Sequence, residues 1–111
     1  MKWNHLTEIE QLEKIDQESE NNLVMVLKHS TTCSISSMAL SRLERKWADA
    51  DSEKIKPYYL DLLQYRSLSN EIEKRYGIEH QSPQVLILKN GKCIFSETHS
   101  AIRVDDILDL A

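Results

Sequence analysis

Short apolar runs alternate with helical stripes along this chain. Leu23-Val24-Met25-Val26-Leu27 is continuously apolar and partly β-branched, the profile of a strand buried on both faces. Gln84-Val85-Leu86-Ile87-Leu88 has the same character, and Lys56-Pro57-Tyr58-Tyr59-Leu60-Asp61 is an aromatic strand candidate between them. Ile35, Ala39, Leu40, Leu43 and Trp47 recur at helical spacing after the first run; Leu68, Ile72 and Tyr76 recur every four residues after the second. Gly77 follows directly, where a helix closes on a left-handed residue. Upstream, Thr7-Glu8-Ile9-Glu10 has the form of a capping box, with Leu6, Ile9, Leu12 and Ile15 spaced by three, which predicts a helix ending near Asp16 and a polar loop from Gln17 to Asn22. Lys89-Asn90-Gly91-Lys92 predicts a tight hairpin returning through Cys93 to Glu97. Val104, Ile107 and Leu108 outline a last helix, with Asp105 and Asp106 suited to its positive end. The order is αβαβαββα: two parallel strands joined through a helix, then an antiparallel pair. A mixed four-stranded sheet flanked by helices is expected, as one α/β domain over residues 1–111.

Composition narrows the function classes. Charged residues are 29% of the chain, interspersed, with a net charge of -4, which argues against a general nucleic-acid surface. No apolar run approaches the ~20 residues of a membrane span. The start lacks the basic, apolar and small-residue succession of a signal peptide, so a cytosolic location is expected, where free thiols persist. The two cysteines, Cys33 and Cys93, cannot form a disulfide framework. No metal site is expected: His29 and Cys33 are four apart, but the other candidate ligands fall on separate elements, and Asp49 to Glu53 reads as an acidic surface loop.

The candidate chemistry sits in Lys28-His29-Ser30-Thr31-Thr32-Cys33-Ser34-Ile35-Ser36, where strand becomes helix. Cys33 falls at the mouth of that helix. Unpaired amides and the positive end of the helix dipole favour a thiolate over a thiol there, which makes a cysteine nucleophilic. The bland alternative is a small residue buried at a strand end. His29, when protonated, would favour the thiolate further; as a strand-end histidine it would be a structural hydrogen-bonding residue. Cys93 lies on the outer hairpin strand, away from the helix mouth, and is expected to pack rather than to resolve a disulfide with Cys33.

Further residues carry a family resemblance. Lys28-His29-Ser30, Thr32-Cys33, Ile35-Ser36, Pro57-Tyr58-Tyr59, Leu68-Ser69-Asn70, Tyr76-Gly77-Ile78, His80, Ser82-Pro83-Gln84 and Asn90-Gly91 together resemble the YtxJ-type bacilliredoxins, thioredoxin-like proteins of the bacillithiol system. The resemblance runs along nearly the whole chain. It implies a thioredoxin-like fold with a cis bond before Pro83 facing the cysteine, so that open backbone groups of Ser82 can pair with a bound thiol peptide. It also implies a monothiol disulfide reductase that strips bacillithiol from protein mixed disulfides. Cys33 would be the nucleophile and bacillithiol the thiol cosubstrate, with no tightly bound cofactor. Bacillithiolated client proteins and a recycling reductase would be its partners.

Ser36 occupies the place where a dithiol enzyme keeps its second cysteine; its hydroxyl either donates to the sulfur or caps the helix. Ser34 stands where the family often has proline and so keeps an N–H able to point at the thiolate. Lys28, Thr31, Thr32 and Gln84 are candidates for recognising the acidic malate part of bacillithiol, and His80, close to Pro83, for touching the ligand. Two other readings use the same residues. A Cys-x-x-Ser site also resembles monothiol glutaredoxins, which hold an iron-sulfur cluster between protomers, although their glycine-bearing motif is missing here. The other is a thioredoxin-like adaptor in which Cys33 is incidental.

Overall fold

In the computed structural model, which describes residues 1–111, the first apolar run becomes the middle of a sheet. In chain order the elements are β1 (Asn4–His5), α1 (Gln11–Glu18), β2 (Leu23–His29), α2 (Ser34–Lys46), α3 (Asp51–Lys54), β3 (Ile55–Asp61), α4 (Arg66–Tyr76), β4 (Gln84–Lys89), β5 (Lys92–Thr98) and α5 (Val104–Leu108), with a 3-10 turn at His99–Ala101. The strands lie in the order β1-β3-β2-β4-β5. β2 runs parallel to β3 and antiparallel to β4. This is the expected mixed α/β sheet.

The two-residue period of β2 divides the interior. Met25 and Leu27 join Ala39, Leu43, Val104 and Ile107 in a cluster of 12 buried residues under α2 and α5. Val24 and Val26 join Leu12, Ile15, Leu68 and Ile72 in a cluster of 11 under α1 and α4. Leu43 is almost wholly buried, so truncation to alanine there costs about 2–5 kcal/mol and loosens the helix that begins beside Cys33.

Three departures from the expected elements have local causes. The sheet has five strands, because polar Asn4 and His5 pair with Tyr58 and Tyr59 along the backbone, with the His5 ring edge-on to that of Tyr59. Asn4 also donates its side-chain amide to Pro57 O at 3.0 Å. No hydrophobic period announces such a strand. The first helix starts at Gln11, not at Thr7: Gln11 Oε1 accepts the Thr7 and Glu8 amides at 2.7 and 2.9 Å, so the glutamine satisfies the donors that a Thr7 cap was expected to serve. Ile9 is left exposed, and the helix runs on through Gln17 and Glu18. The acidic stretch after Trp47 forms α3, where Asp51 Oδ2 accepts the Ala48 amide at 2.8 Å. Gly77 and the Asn90-Gly91 turn adopt the positive φ that their spacing predicts.

Candidate functional site

Cys33 occupies the N-cap position of α2, with extended backbone (φ -105°, ψ 121°). Its own N–H donates to Ser30 O at 3.2 Å, closing a turn, and its carbonyl accepts Ser37 N–H at 3.0 Å. The Ser34, Ile35 and Ser36 amides have no acceptor in the chain, and no side chain caps this end. Cys33 is part-exposed and free, and it stands at the N-cap of a 13-residue helix whose first three amides are unpaired. Ser34 contributes one of those donors, which proline would have removed.

The strand-to-helix connection is fixed from inside by Ser36. Its Oγ accepts Ser30 N–H at 3.0 Å and lies 2.7 Å from His29 Nδ1. Burial pulls the His29 pKa below its ordinary value, against the opposing pull of Asp61 and Glu44, so the ring is neutral at pH 7. Whichever tautomer the ring adopts, both partners of the wholly buried Ser36 hydroxyl lie at the end of β2. Both expected roles of Ser36 are therefore corrected: it serves the end of β2 instead of the sulfur or the helix amides. His29 is 4% exposed, with its ring 5.5 Å from that of Tyr59, and it acts as a neutral structural residue instead of a charge beside the thiol.

Opposite lies the Ser82–Pro83 segment. Lys28 pairs with Gln84 across β2 and β4, so the residues before Gln84 continue past the same sheet end as the residues after His29. The Ser82–Pro83 peptide is cis. Pro83 O accepts His99 N–H at 3.1 Å, and Arg42 Nη2 donates to His99 O at 3.0 Å, which ties this segment to α2. Neither backbone group of Ser82 has a partner in the chain.

The remaining expected site residues divide by exposure. Thr31, Thr32 and Ser34 are exposed, and His80 and Ser82 are part-exposed. Lys28 is 0% exposed, and Nζ donates to Ser69 O at 3.1 Å and to His80 Nδ1 at 3.3 Å. An ammonium so enclosed does not meet an acidic ligand at the surface. Gln84 is buried as well, with Nε2 donating to Glu79 O at 2.9 Å. Both are corrected from ligand recognition to the interior. Ile35 and Met38, at 50% and 62% exposure, form an apolar rim on α2; the helical stripe had assigned Ile35 to the core.

The sequence reading missed Glu73, whose Oε2 accepts His80 N–H at 2.5 Å, and the part played by Ser69. Their four-residue spacing on one helix face, beside Leu68 and Ile72, was the available signal.

Cys93 lies on β5 opposite Leu88, which pairs with Val24 at the far end of β2. Gln84 to Leu88 is four residues, about 14 Å of strand at ~3.4 Å each. Cys93 also packs against the cluster under α1 and α4, on the other side of the sheet from α2. A disulfide needs Cα atoms within about 7 Å, so Cys33 has no internal resolving partner.

The sequence profile of the monothiol bacilliredoxin family, BrxC, matches residues 4–107. A solved thioredoxin-fold structure provisionally described as an oxidoreductase is 34% identical, with a TM-score of 0.81, covering 95% of this chain and 89% of its own. Thioredoxin from Malassezia sympodialis is 15% identical with a TM-score of 0.79, covering 98% of this chain and 90% of its own. Thioredoxin from Fasciola hepatica is 14% identical with a TM-score of 0.73, covering 96% and 94%. The last two share the fold alone. With a profile match over nearly its full length and one accessible cysteine at a thioredoxin-fold helix mouth, the chain belongs to the monothiol bacilliredoxin family.

Proposed function

We propose that this thioredoxin-fold oxidoreductase removes bacillithiol from protein mixed disulfides through Cys33. The observation that carries the reading is a part-exposed Cys33 at the N-cap of a helix with three unpaired amides, with the free Ser82 backbone at the same sheet end and Cys93 out of reach. Cys33 thiolate attacks the bacillithiol sulfur of a client mixed disulfide. The client–bacillithiol S–S bond breaks, the client leaves as a thiolate, and a Cys33–bacillithiol disulfide forms. A second bacillithiol thiolate attacks the bacillithiol sulfur of that adduct, releasing Cys33 thiolate and bacillithiol disulfide. A separate reductase returns the latter to thiol. Ser36 offers no sulfur for internal resolution, so bacillithiol is the obligatory cosubstrate and a reducing, cytosolic compartment suits the cycle.

Recognition divides between two surfaces. The client strand pairs with Ser82 N–H and C=O, lies against His80, and rests its apolar side chains on Ile35 and Met38, while Pro83, expected to touch the ligand, is buried beneath the segment. The Thr31, Thr32 and Ser34 hydroxyls serve the polar sugar and acid groups of bacillithiol. A client peptide carrying one bacillithiol mixed disulfide tests the reading, with free peptide followed chromatographically in the presence of bacillithiol. Catalytic release by the wild-type chain and none by Cys33→Ser is expected. Equal release by both proteins would remove Cys33 from the mechanism.

A further inference from the structure

A lysine with no exposed surface and no carboxylate within salt-bridge distance breaks the rule that buried charges are paired. Such breaks concentrate at functional sites. Lys28 shares a sheet face with Val24 and Val26, where an apolar side chain of equal length would complete the cluster without a desolvated charge. What the ammonium does instead is grip the segment that carries Ser82. Gln84, its cross-strand partner, holds Glu79 O; Glu73 holds His80 N–H; Lys28 Nζ holds His80 Nδ1, which Ser69 Oγ also approaches at 3.3 Å, and anchors to Ser69 O on α4. Because an ammonium only donates, His80 Nδ1 is the acceptor and the ring is the neutral Nε2–H tautomer. Residues 79 and 80 are thus fixed from three directions, Pro83 from a fourth through His99, and Ser82 between them stays unpaired. The buried Ser82 Oγ and Gln84 Oε1 have no partner either, so those contacts rather than the Ser82 side chain restrain the segment.

We propose that Lys28 is a positioning residue for thiol exchange: a buried cation that locks His80, and through it holds the free Ser82 backbone in register for an incoming disulfide. This rests on the reading above for its substrate, though not for its geometry.

The full-length Lys28→Met chain tests it, with Lys28→Gln as a second variant should methionine prevent folding. The KM for the bacillithiolated peptide should rise about tenfold, with kcat and the rate of Cys33 alkylation within about twofold of wild type. Amide exchange over residues 79–83 should accelerate in the same variant while β2 stays protected. Unchanged KM, or unchanged exchange over 79–83, overturns the proposal. Should the wild-type chain fail to turn over the peptide, the proposed function falls, and exchange over 79–83 alone decides the positioning role.

The unsubstituted chain supplies a further readout. Burial pushes the Lys28 pKa down to about 8 against the pull of Glu73. The ionisable groups acting here are Glu73 on α4 and His80 in the loop, with Arg66 acting on His80, while β4 presents the neutral Gln84. The His80 and Ser82 amide resonances should therefore shift with a midpoint near 8 in the wild-type chain and lose that step in Lys28→Met; a step that persists in Lys28→Met overturns the proposal.

Discussion

Cys33 and Cys93 are the same residue type at similar exposure in one small domain, yet their surroundings set them to opposite chemistry. Cys33 ends a turn and opens a 13-residue helix, so its neighbours are backbone donors without acceptors. Cys93 sits mid-hairpin, with Sγ donating to Phe95 O at 3.2 Å, and burial raises its pKa. One setting leaves backbone donors open beside the side chain; the other, by burial, favours the thiol. The difference comes from topology: a strand that ends in a helix leaves amides open, whereas a hairpin strand presents a carbonyl as acceptor. Reactivity in this fold belongs to a place, and the side chain only exploits it.

The largest expected contrast is in turnover. Cys33→Ser should lower exchange by about a thousandfold or more, because an alcohol is a poor nucleophile at neutral pH, while Cys93→Ala should stay within about twofold. Steady-state assays on the bacillithiolated peptide measure both, and a matching loss in Cys93→Ala would erase the contrast. Next in size is labelling: at pH 7, iodoacetamide should modify Cys33 at least about tenfold faster than Cys93, read by peptide mapping. Ser36→Ala probes what maintains that advantage. It strands the Ser30 amide and His29 Nδ1, so stability should fall by about 1–3 kcal/mol in urea denaturation and Cys33 labelling should slow severalfold. If labelling holds its rate while stability falls, Ser36 supports the fold but not the sulfur.

The smallest effect is a pH dependence. A thiol whose folded pKa is raised above its unfolded value, near 9.0, adds stability that is whole below that value and lost as pH climbs through the folded one. The Tm deficit of Cys93→Ala, about 5 °C at pH 7 for a loss near 1 kcal/mol, should therefore shrink as pH rises above the unfolded value. A deficit independent of pH would mean that Cys93 contributes only through packing.

The legible parts of this molecule were those written in local periodicity. Leu23 to Leu27, the glycine closing α4 and the Asn90-Gly91 hairpin could be read directly, and Cys33 followed from the junction of strand and helix. The two-residue strand at Asn4 was invisible because it is made of backbone pairing with a partner more than fifty residues away. Ile35 carried the helical period but precedes the part of α2 that covers the sheet, so the period alone mistook an exposed rim for core. Lys28 was expected to meet the acidic part of bacillithiol, although its parity with Val24 and Val26 already placed it on an inner face. Its partners, Ser69 and His80, come from two other segments, and no spacing within β2 could have named them.

Intact mass spectrometry of the full chain after exposure to bacillithiol disulfide tests the central claim, that one sulfur carries the exchange. The account predicts a single bacillithiol adduct, mapped to Cys33, that is discharged by added bacillithiol. A stable Cys33–Cys93 disulfide, or an adduct on Cys93 with Cys33 unmodified, would contradict it.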